Sequence, residues 1–278
     1  MRPLAGERPL SRPPRVLYAD VDGTLVGPGG SLFATPGGPS SRGVAAIAAL
    51  HEAGVQLVLV SGRTREQMRE AARLVGARAY IAELGAFVVE RGASEEVTPN
   101  FGAFQGSGHP FGAMARSGAG AFLLELFAGK LELHTPWTFQ DREATMLFRG
   151  LIDEREATRA LARARYGWLE VCDNGRISGT FETLDVPEVR AYHLVPRGVS
   201  KASAVRIHRD RVGLAVEEAA AVGDSVTDVQ MAAEVGAMVL VGGTGPDEGA
   251  GGDNVFVTDA PSVDGLAQAV EALLAREL

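Results

Sequence analysis

Asp20-Val21-Asp22-Gly23-Thr24 places two carboxylates one residue apart, directly behind the short apolar run at 15–19. If that run is a strand, the pair sits at its carboxyl end, where parallel α/β sheets build their sites. Once the chain leaves the strand the two side chains point differently, so one can act as nucleophile while the other handles protons. Alone, the motif reads equally well as an acidic turn. A second acidic pair weighs against that reading. Val222-Gly223-Asp224-Ser225-Val226-Thr227-Asp228 again puts an Asp behind an apolar run, and a helical turn carries the Asp four residues later to the same side. Carboxylates converging on one sheet edge repel strongly without a cation. Oxygen ligands with no His or Cys beside them favour Mg²⁺, which keeps several waters and binds phosphate oxygens. The local alternative has Asp224 capping a helix and Asp228 on its solvated face.

Two further segments complete the set. Ser61-Gly62-Arg63-Thr64 follows the apolar run at 55–60 and opens a helix, so a hydroxyl and free amide groups together can take one phosphoryl group. An ordinary Ser cap is the alternative. Lys201, in Pro196-Arg197-Gly198-Val199-Ser200-Lys201, begins another helix, and its ammonium can neutralise charge on a phosphoryl in transfer or simply face water.

Asp20 and Asp22, then Ser61, then Lys201, then Asp224 and Asp228, each at an expected strand end or helix start, resemble the haloacid dehalogenase superfamily. The spacing is similar to its Cof-type phosphatases with a large α/β cap, because Ser61 and Lys201 lie 140 positions apart whereas Asp20 and Ser61 lie only 41 apart. The resemblance implies that Asp20 attacks phosphorus to give an aspartyl-phosphate. It implies that Asp22 protonates the leaving oxygen and then activates water. It also implies Mg²⁺ on Asp20, the Asp22 main-chain carbonyl and Asp224, with Asp228 a direct or indirect partner. Thr24, Ser61 and Gly62 would surround the phosphoryl group, and Lys201 would balance its charge. Two positions depart from the family pattern: Thr227 stands where Cof-type members commonly carry Asn, and Leu84 where many relatives carry a polar residue at the junction with the cap.

The elements that must position these residues follow from periodicity. A strand at 15–19, a helix over 41–53 behind Ser41, a nearly all-apolar strand at 55–60, a helix over 64–75 with a Thr64–Gln67 capping box and a strand at 78–82 alternate with short connections. That is the signature of a doubly wound, Rossmann-like parallel sheet in an α/β fold. The rhythm breaks near Gly85 and resumes near Tyr192, with a helix from Lys201, strands at 219–222, 238–241 and 255–258, and helices at 226–235 and 263–276. Residues 1–85 and 191–278 are therefore expected to form the catalytic core, and 86–190 an inserted α+β cap domain. Strands are expected there at 87–90, 130–134, 145–148 and 168–172, the last entering a hairpin at Asn174-Gly175, with the clearest helix at 158–166. The Gly/Pro-rich stretch at 27–43 reads as a flap or a long surface connection, and the glycine-rich stretch at 242–252 as a loop.

Composition closes off other classes. A formal charge of −8, a sequence pI near 5.2 and no long Lys/Arg block argue against a nucleic-acid partner. No stretch reaches the roughly 18 apolar residues of a membrane span, and the first residues lack the apolar core of a signal peptide, so a cytoplasmic protein is expected. The single cysteine, Cys172, excludes an intrachain disulfide framework.

Within 86–190, 11 Lys/Arg stand against 15 Asp/Glu, so selectivity must come from a few placed groups. His109, His134, Arg142, Arg149 and Arg176 are candidates, since Arg offers bidentate contacts to carboxylate or phosphate. Arg149 leads, because it ends the apolar strand TMLF immediately before Gly150. Trp137 and Trp168 can stack on a sugar or pack inside, while His51, His193 and His208 read as structural. Glycerate-linked sugar phosphatases share this cap class, which implies a small phosphorylated metabolite, a sugar phosphate or phosphoglycerate-type ester, although their cap motif is not evident here. A phosphomutase shares the nucleophile and stays open as an alternative. A non-catalytic binding protein on this scaffold would be expected to lose a carboxylate or the lysine, and the chain keeps every one. Oligomeric state is left open.

Overall fold

The computed structural model describes residues 1–177, 179, 181–242 and 252–275. Most of the glycine-rich stretch at 242–252, and Arg276 at the end of the last expected helix, lie outside the described residues. The chain divides into two compact units, Met1–Thr98 with Lys201–Leu278, and Pro99–Ser200.

The first unit opens with β1 (Arg2–Pro3), β2 (Val16–Asp20), a small hairpin of β3 (Ala34–Thr35) and β4 (Gly38–Pro39), and α1 (Arg42–Glu52). It continues through β5 (Gln56–Val60), α2 (Arg65–Val75), β6 (Ala79–Ala82), β7 (Phe87–Arg91) and β8 (Glu95–Pro99). The second unit holds α3 (Pro110–Ser117), α4 (Ala119–Leu126), β9 (Leu131–Leu133), β10 (Met146–Gly150), α5 (Glu154–Arg163), β11 (Leu169–Arg176) and β12 (Arg190–Pro196). The chain then returns through α6 (Lys201–Val212), β13 (Ala219–Gly223), α7 (Val226–Val229), β14 (Ala237–Leu240), β15 (Val255–Val257) and α8 (Ser262–Leu274).

Nine strands make one sheet in the order β1-β15-β14-β13-β2-β5-β6-β7-β8. All its pairs from β1 to β6 are parallel, and β6 pairs antiparallel with β7. The central strands are apolar on both faces, as a sheet covered on both sides requires. Val16, Tyr18, Val58 and Val60 pack in one cluster with Ala204 and Val205 of α6. The alternate residues Leu17, Leu57 and Leu59 are equally buried, and burial of each such Leu stabilises by about 2 kcal/mol. Thr64 and Gln67 form the expected capping box at α2. Ser41 stands at the N-cap of α1 but its hydroxyl makes no cap hydrogen bond.

The expected boundaries at 85/86 and 190/191 shift. β7 extends the first unit's sheet on its antiparallel edge, whereas β12 pairs with β10 and β11 in the second unit. An apolar run signals a strand without saying which sheet will take it. The stretch at 27–43 is neither open flap nor bare connection: it folds into a short 3-10 turn and the β3/β4 hairpin, and Ser40 Oγ donates to Asp264 Oδ1 of α8 at 2.5 Å. The helix expected over 226–235 is a single α-turn, α7, followed by a 3-10 segment at Gln230–Glu234.

The second unit packs α3, α4 and α5 against one face of a four-stranded antiparallel sheet, β11-β12-β10-β9. Met146, Phe148, Val171, Tyr192 and Leu194 supply that face. Asn174-Gly175 is no hairpin turn: β11 runs through it with an irregularity between Asp173 and Arg176, and Gly175 N donates back to Asp173 Oδ1. Among the described residues no helix is long and apolar enough to cross a membrane.

Candidate active site

β13, β2 and β5 are neighbours, and their carboxyl ends carry Asp224, Asp20 and Ser61. From β2 the sheet is continued to one side by β5 and to the other by β13, the topological switch where such sheets leave a crevice. Three segments distant in sequence thus meet because adjacent parallel strands end together.

Asp20 is the last residue of β2 and is 4% exposed. Lys201, first residue of α6, donates from Nζ to Asp20 Oδ1 and to Asp228 Oδ1, each at 2.6 Å. Asp228 is fully buried, and its other oxygen accepts from Asp224 N at 3.2 Å, Ser225 N at 3.0 Å and Ser225 Oγ at 2.5 Å. The helix cap is therefore Ser225, not Asp224, and Asp228 lies on no solvated face. With one oxygen on Lys201 and the other on the cap, Asp228 is built to orient the ammonium and the Asp224 loop.

Asp20, Asp224 and Asp228 each offer an oxygen, all within 4.8 Å of one another. Burial, then the Asp228 charge, raises the Asp20 pKa well above the ordinary carboxylate value, Lys201 opposing. The same two causes, in the same order, push Asp224 up to about 7. Lys201 is held above the ordinary amine value: burial works against its charge, but Asp20 and Asp228 more than offset it. Three carboxylates around one ammonium leave uncompensated negative charge, and a hard divalent cation suits this all-oxygen donor set.

Two glycines make the approach possible. Gly23 has φ +84, and a Cβ there would lie 2.0 Å from Asp224 Oδ2. A Cβ on Gly223 would fall 2.4 Å from Cβ of Asp228. Either side chain would push apart the loops that carry the carboxylates.

Asp22 points elsewhere and is exposed. Arg63 Nε and Nη2 donate to its Oδ2 and Oδ1 at 2.8 and 2.5 Å, a bidentate fork. The Asp22 hydrogen bonds lead in raising the Arg63 pKa. Ser61 is buried and accepts from Arg63 N at 3.2 Å, while the cap of α2 is Thr64, so Ser61 is free of the ordinary capping role. Thr24 is fully buried and its hydroxyl has no partner among the described residues, a polar group positioned beside the two acids in sequence and suited to a ligand oxygen. Gly62 completes the loop between Ser61 and Arg63. That loop is braced from behind, since Glu83 N donates to Arg63 O and Leu84 N to Ser61 O. Leu84 is buried at φ +57, so it supports the loop and presents no polar contact to a ligand.

The candidates at 86–190 all fall in the second unit, and all but His134, whose buried Nδ1 has no partner among the described residues, are committed to local partners. Arg149 Nε donates to Glu132 Oε1 at 2.5 Å and its guanidinium stacks 4.3 Å from the Phe181 ring centroid. Arg176, on β11 and not at a hairpin tip, pairs with Glu188. His109 pairs with Glu143, and Arg142 donates to Trp137 O and Thr145 Oγ1. Trp168 packs on Phe104, whereas Trp137 is 46% exposed. Sequence reasoning missed the roles of Arg63 and Ser225, although both lie inside motifs it singled out. Strand adjacency would have pointed to Arg63, since it follows β5 beside the β2 end that carries Asp22.

An α/β fold with an aspartate pair, a buried lysine and a second acidic pair at its switch point defines an enzyme of phosphoryl-group chemistry. Residues 17–99 match the family model of haloacid dehalogenase-like hydrolases. A phosphoglycolate phosphatase of Methanoculleus marisnigri is 30% identical over 230 residues, 82% of this chain and 83% of that one. The crystal structure of Thermoplasma acidophilum 0175 superposes with a TM-score of 0.64 at 19% identity, covering 94% of this chain and 99% of the other. The sucrose-phosphatase of Synechocystis sp. PCC6803, in complex with sucrose and phosphate, gives 0.61 at 14% identity, covering 96% and 98%. The chain belongs to the haloacid dehalogenase-like hydrolases, and by enzyme class it is a phosphatase.

Proposed function

We propose that the protein is a Mg²⁺-dependent phosphomonoester hydrolase acting on a small phosphorylated metabolite, a sugar phosphate or phosphoglycerate-type ester, through an aspartyl-phosphate. The observation that carries this reading is the ammonium of Lys201 shared between Asp20 and Asp228 with Asp224 beside them, an uncompensated acidic site at the end of β2. The phosphoglycolate phosphatase and sucrose-phosphatase relatives support a small phosphorylated acid or sugar.

Asp20 attacks phosphorus with one carboxylate oxygen; the bond to the ester oxygen breaks as the new O–P bond forms. Asp22 gives that leaving oxygen a proton, and then takes one from the water that cleaves the acyl-phosphate. Its placement apart from Asp20 suits that division of labour, and the Arg63 fork, which holds Asp22 as a carboxylate, must release it before it can carry the proton. Lys201 holds Asp20 in place and offsets charge on the phosphoryl oxygens. Thr24, Ser61 and Gly62 supply groups around the phosphoryl. Asp20, Asp224 and the Asp22 main-chain carbonyl would hold Mg²⁺, which when bound neutralises the carboxylates and polarises the phosphoryl group.

The test is phosphate release from phosphoglycolate, phosphoglycerates, sugar phosphates, nucleotides and an aryl phosphate, with Mg²⁺ or chelator, beside Asp20→Asn. Metal-dependent release that falls about a thousandfold or more in the variant is expected. Release that persists in chelator or in Asp20→Asn overturns the reading. Transfer of phosphate between positions of a sugar, without release, would indicate a mutase.

A further inference from the structure

Tyr18 and His208 make a buried contact that the chemistry above does not use. Both are fully buried, Tyr18 Oη lies 2.7 Å from His208 Nδ1, and the rings meet edge-on with centroids 5.5 Å apart. Tyr18 stands two residues before Asp20 on β2, hence on the same face of the strand. His208 stands seven residues after Lys201 on α6, two helical turns along the same buried stripe as Ala204 and Val205.

The same strand and the same helix are therefore joined by two polar rungs. Lys201–Asp20 is one, and Tyr18–His208 the other, about 7 Å back along the strand. The rest of the contact is apolar: Val16 and Tyr18 of β2 cluster with Ala204 and Val205 of α6. Apolar packing resists separation but is non-directional, so it sets the slide and roll of a helix on a sheet less sharply than a hydrogen bond. One rung to β2, ending in a four-carbon lysine stem, leaves the setting of α6 on that strand to anchors on other elements, Arg209 with Glu234 and Arg211 with Glu90 and Glu96. Two rungs fix it. Burial raises the phenol's pKa and lowers that of the imidazole, so both stay neutral and add no charge to a site already crowded with it.

We propose that Tyr18 and His208 are positioning residues, which set α6 on β2 so that the Lys201 ammonium meets Asp20. The proposal rests on the hydrolytic reading of Asp20. The two fail differently: absence of metal-dependent turnover in the unaltered enzyme defeats the reading, while altered enzymes with unaltered turnover defeat only this inference.

The experiment is steady-state kinetics on an aryl phosphate in Mg²⁺, with folding checked by circular dichroism. Tyr18→Phe and His208→Leu are each expected to lower kcat roughly tenfold or more while KM stays within about twofold. His208→Asn, which keeps a hydrogen-bonding group near the Nδ1 position, is expected to recover kcat to within about threefold of the unaltered enzyme. Combined with Lys201→Met, Tyr18→Phe should have no further effect on the residual rate, since nothing remains to position; a pair that only stabilises the fold gives the same factor in both backgrounds. Unaltered kcat in folded Tyr18→Phe overturns the proposal, as does an equal factor in the lysine variant. If Tyr18→Phe does not fold, equal kcat in His208→Leu and His208→Asn overturns it. Failure of Tyr18→Phe and His208→Leu alike to fold would assign the pair to stability alone and also reject it.

Discussion

The two units handle charge in opposite ways. On the second unit's sheet, Arg149 stands across from Glu132 in register, Arg190 Nε donates to Asp173 Oδ2 at 2.6 Å, and Arg176 pairs with Glu188. Each guanidinium there has its carboxylate, and the pairs largely cancel. At the end of β2 in the first unit, Asp20 and Asp228 share one buried ammonium, and a third carboxylate, Asp224, stands beside them. Cross-strand pairs of the first kind fix register at small energetic cost. A cluster of the second kind opposes folding unless something else neutralises it, and such a burden is the mark of a site with work to do. Residual buried charge, and not the number of charged residues, separates the chemistry from the scaffold.

The comparison breaks most sharply at Lys201. In the metal-free protein Lys201→Met leaves Asp20 and Asp228 buried without their shared cation, and a loss of about 3 kcal/mol is expected from denaturant unfolding. Phosphate release should fall at least a hundredfold, in line with loss of a group aimed at the transferring phosphoryl. If Lys201→Met costs no more stability than Arg149→Ala, the contrast between compensated and uncompensated charge is lost.

A cation should have the reverse effect, and pH sets its size. An unfolded Asp titrates near pH 4. Burial, then Asp228, pushes Asp224 up to about 7, so between about pH 4 and pH 7 the folded, metal-free chain keeps a proton that the unfolded chain has released. That contribution to stability is fully present below about pH 4 and is lost as pH rises through about 7. Mg²⁺ must displace this proton at pH 5.5 but not at pH 8. The rise in Tm on adding Mg²⁺ is therefore expected to be larger at pH 8 than at pH 5.5. An equal rise at both would mean that the cation binds away from these carboxylates.

What the sequence made legible follows the same division. Most of the site motifs could be read because they stand at the ends of apolar runs, and in a parallel sheet such ends gather on one edge. Asp20, Ser61 and Asp224 are placed by this rule alone, whereas Lys201 was legible only as the start of a helix, α6. Arg63 escaped it because its partner Asp22 lies 41 residues away, and only the β2–β5 adjacency joins them. The pair of Tyr18 and His208, 190 residues apart, needs helix placement as well. In the second unit periodicity was a poorer guide. The α4 sequence AGAFLLEL is apolar nearly all round and gives no helical stripe, and α3 holds Pro110 and Gly112, so neither helix was expected. Asn174-Gly175 carries the composition of a hairpin turn, yet tertiary pairing with β12 runs the strand through it.

The smallest expected effects lie in the second unit, where they sharpen the comparison. Arg149 is 19% exposed at the side chain, its plane set by Phe181 and its Nε by Glu132, which Thr183 also binds. Its carboxylate partner is held below its ordinary pKa: burial opposes this, but the Thr183 and Arg149 hydrogen bonds prevail. Arg176 is 70% exposed, an arrangement in which ion pairs contribute little. Arg149→Ala is expected to cost about 1 kcal/mol of stability and to raise KM for the best substrate of the panel more than for an aryl phosphate. Arg176→Ala should leave both Tm and KM unchanged. Because Arg149 is held by its own carboxylate, Glu132→Gln is the sharper probe: with its charge partner removed, the guanidinium is freer to meet an anionic substrate, and KM for the best substrate of the panel should fall while KM for the aryl phosphate holds. Equal changes with both substrates would return Arg149 to the scaffold, beside Arg176.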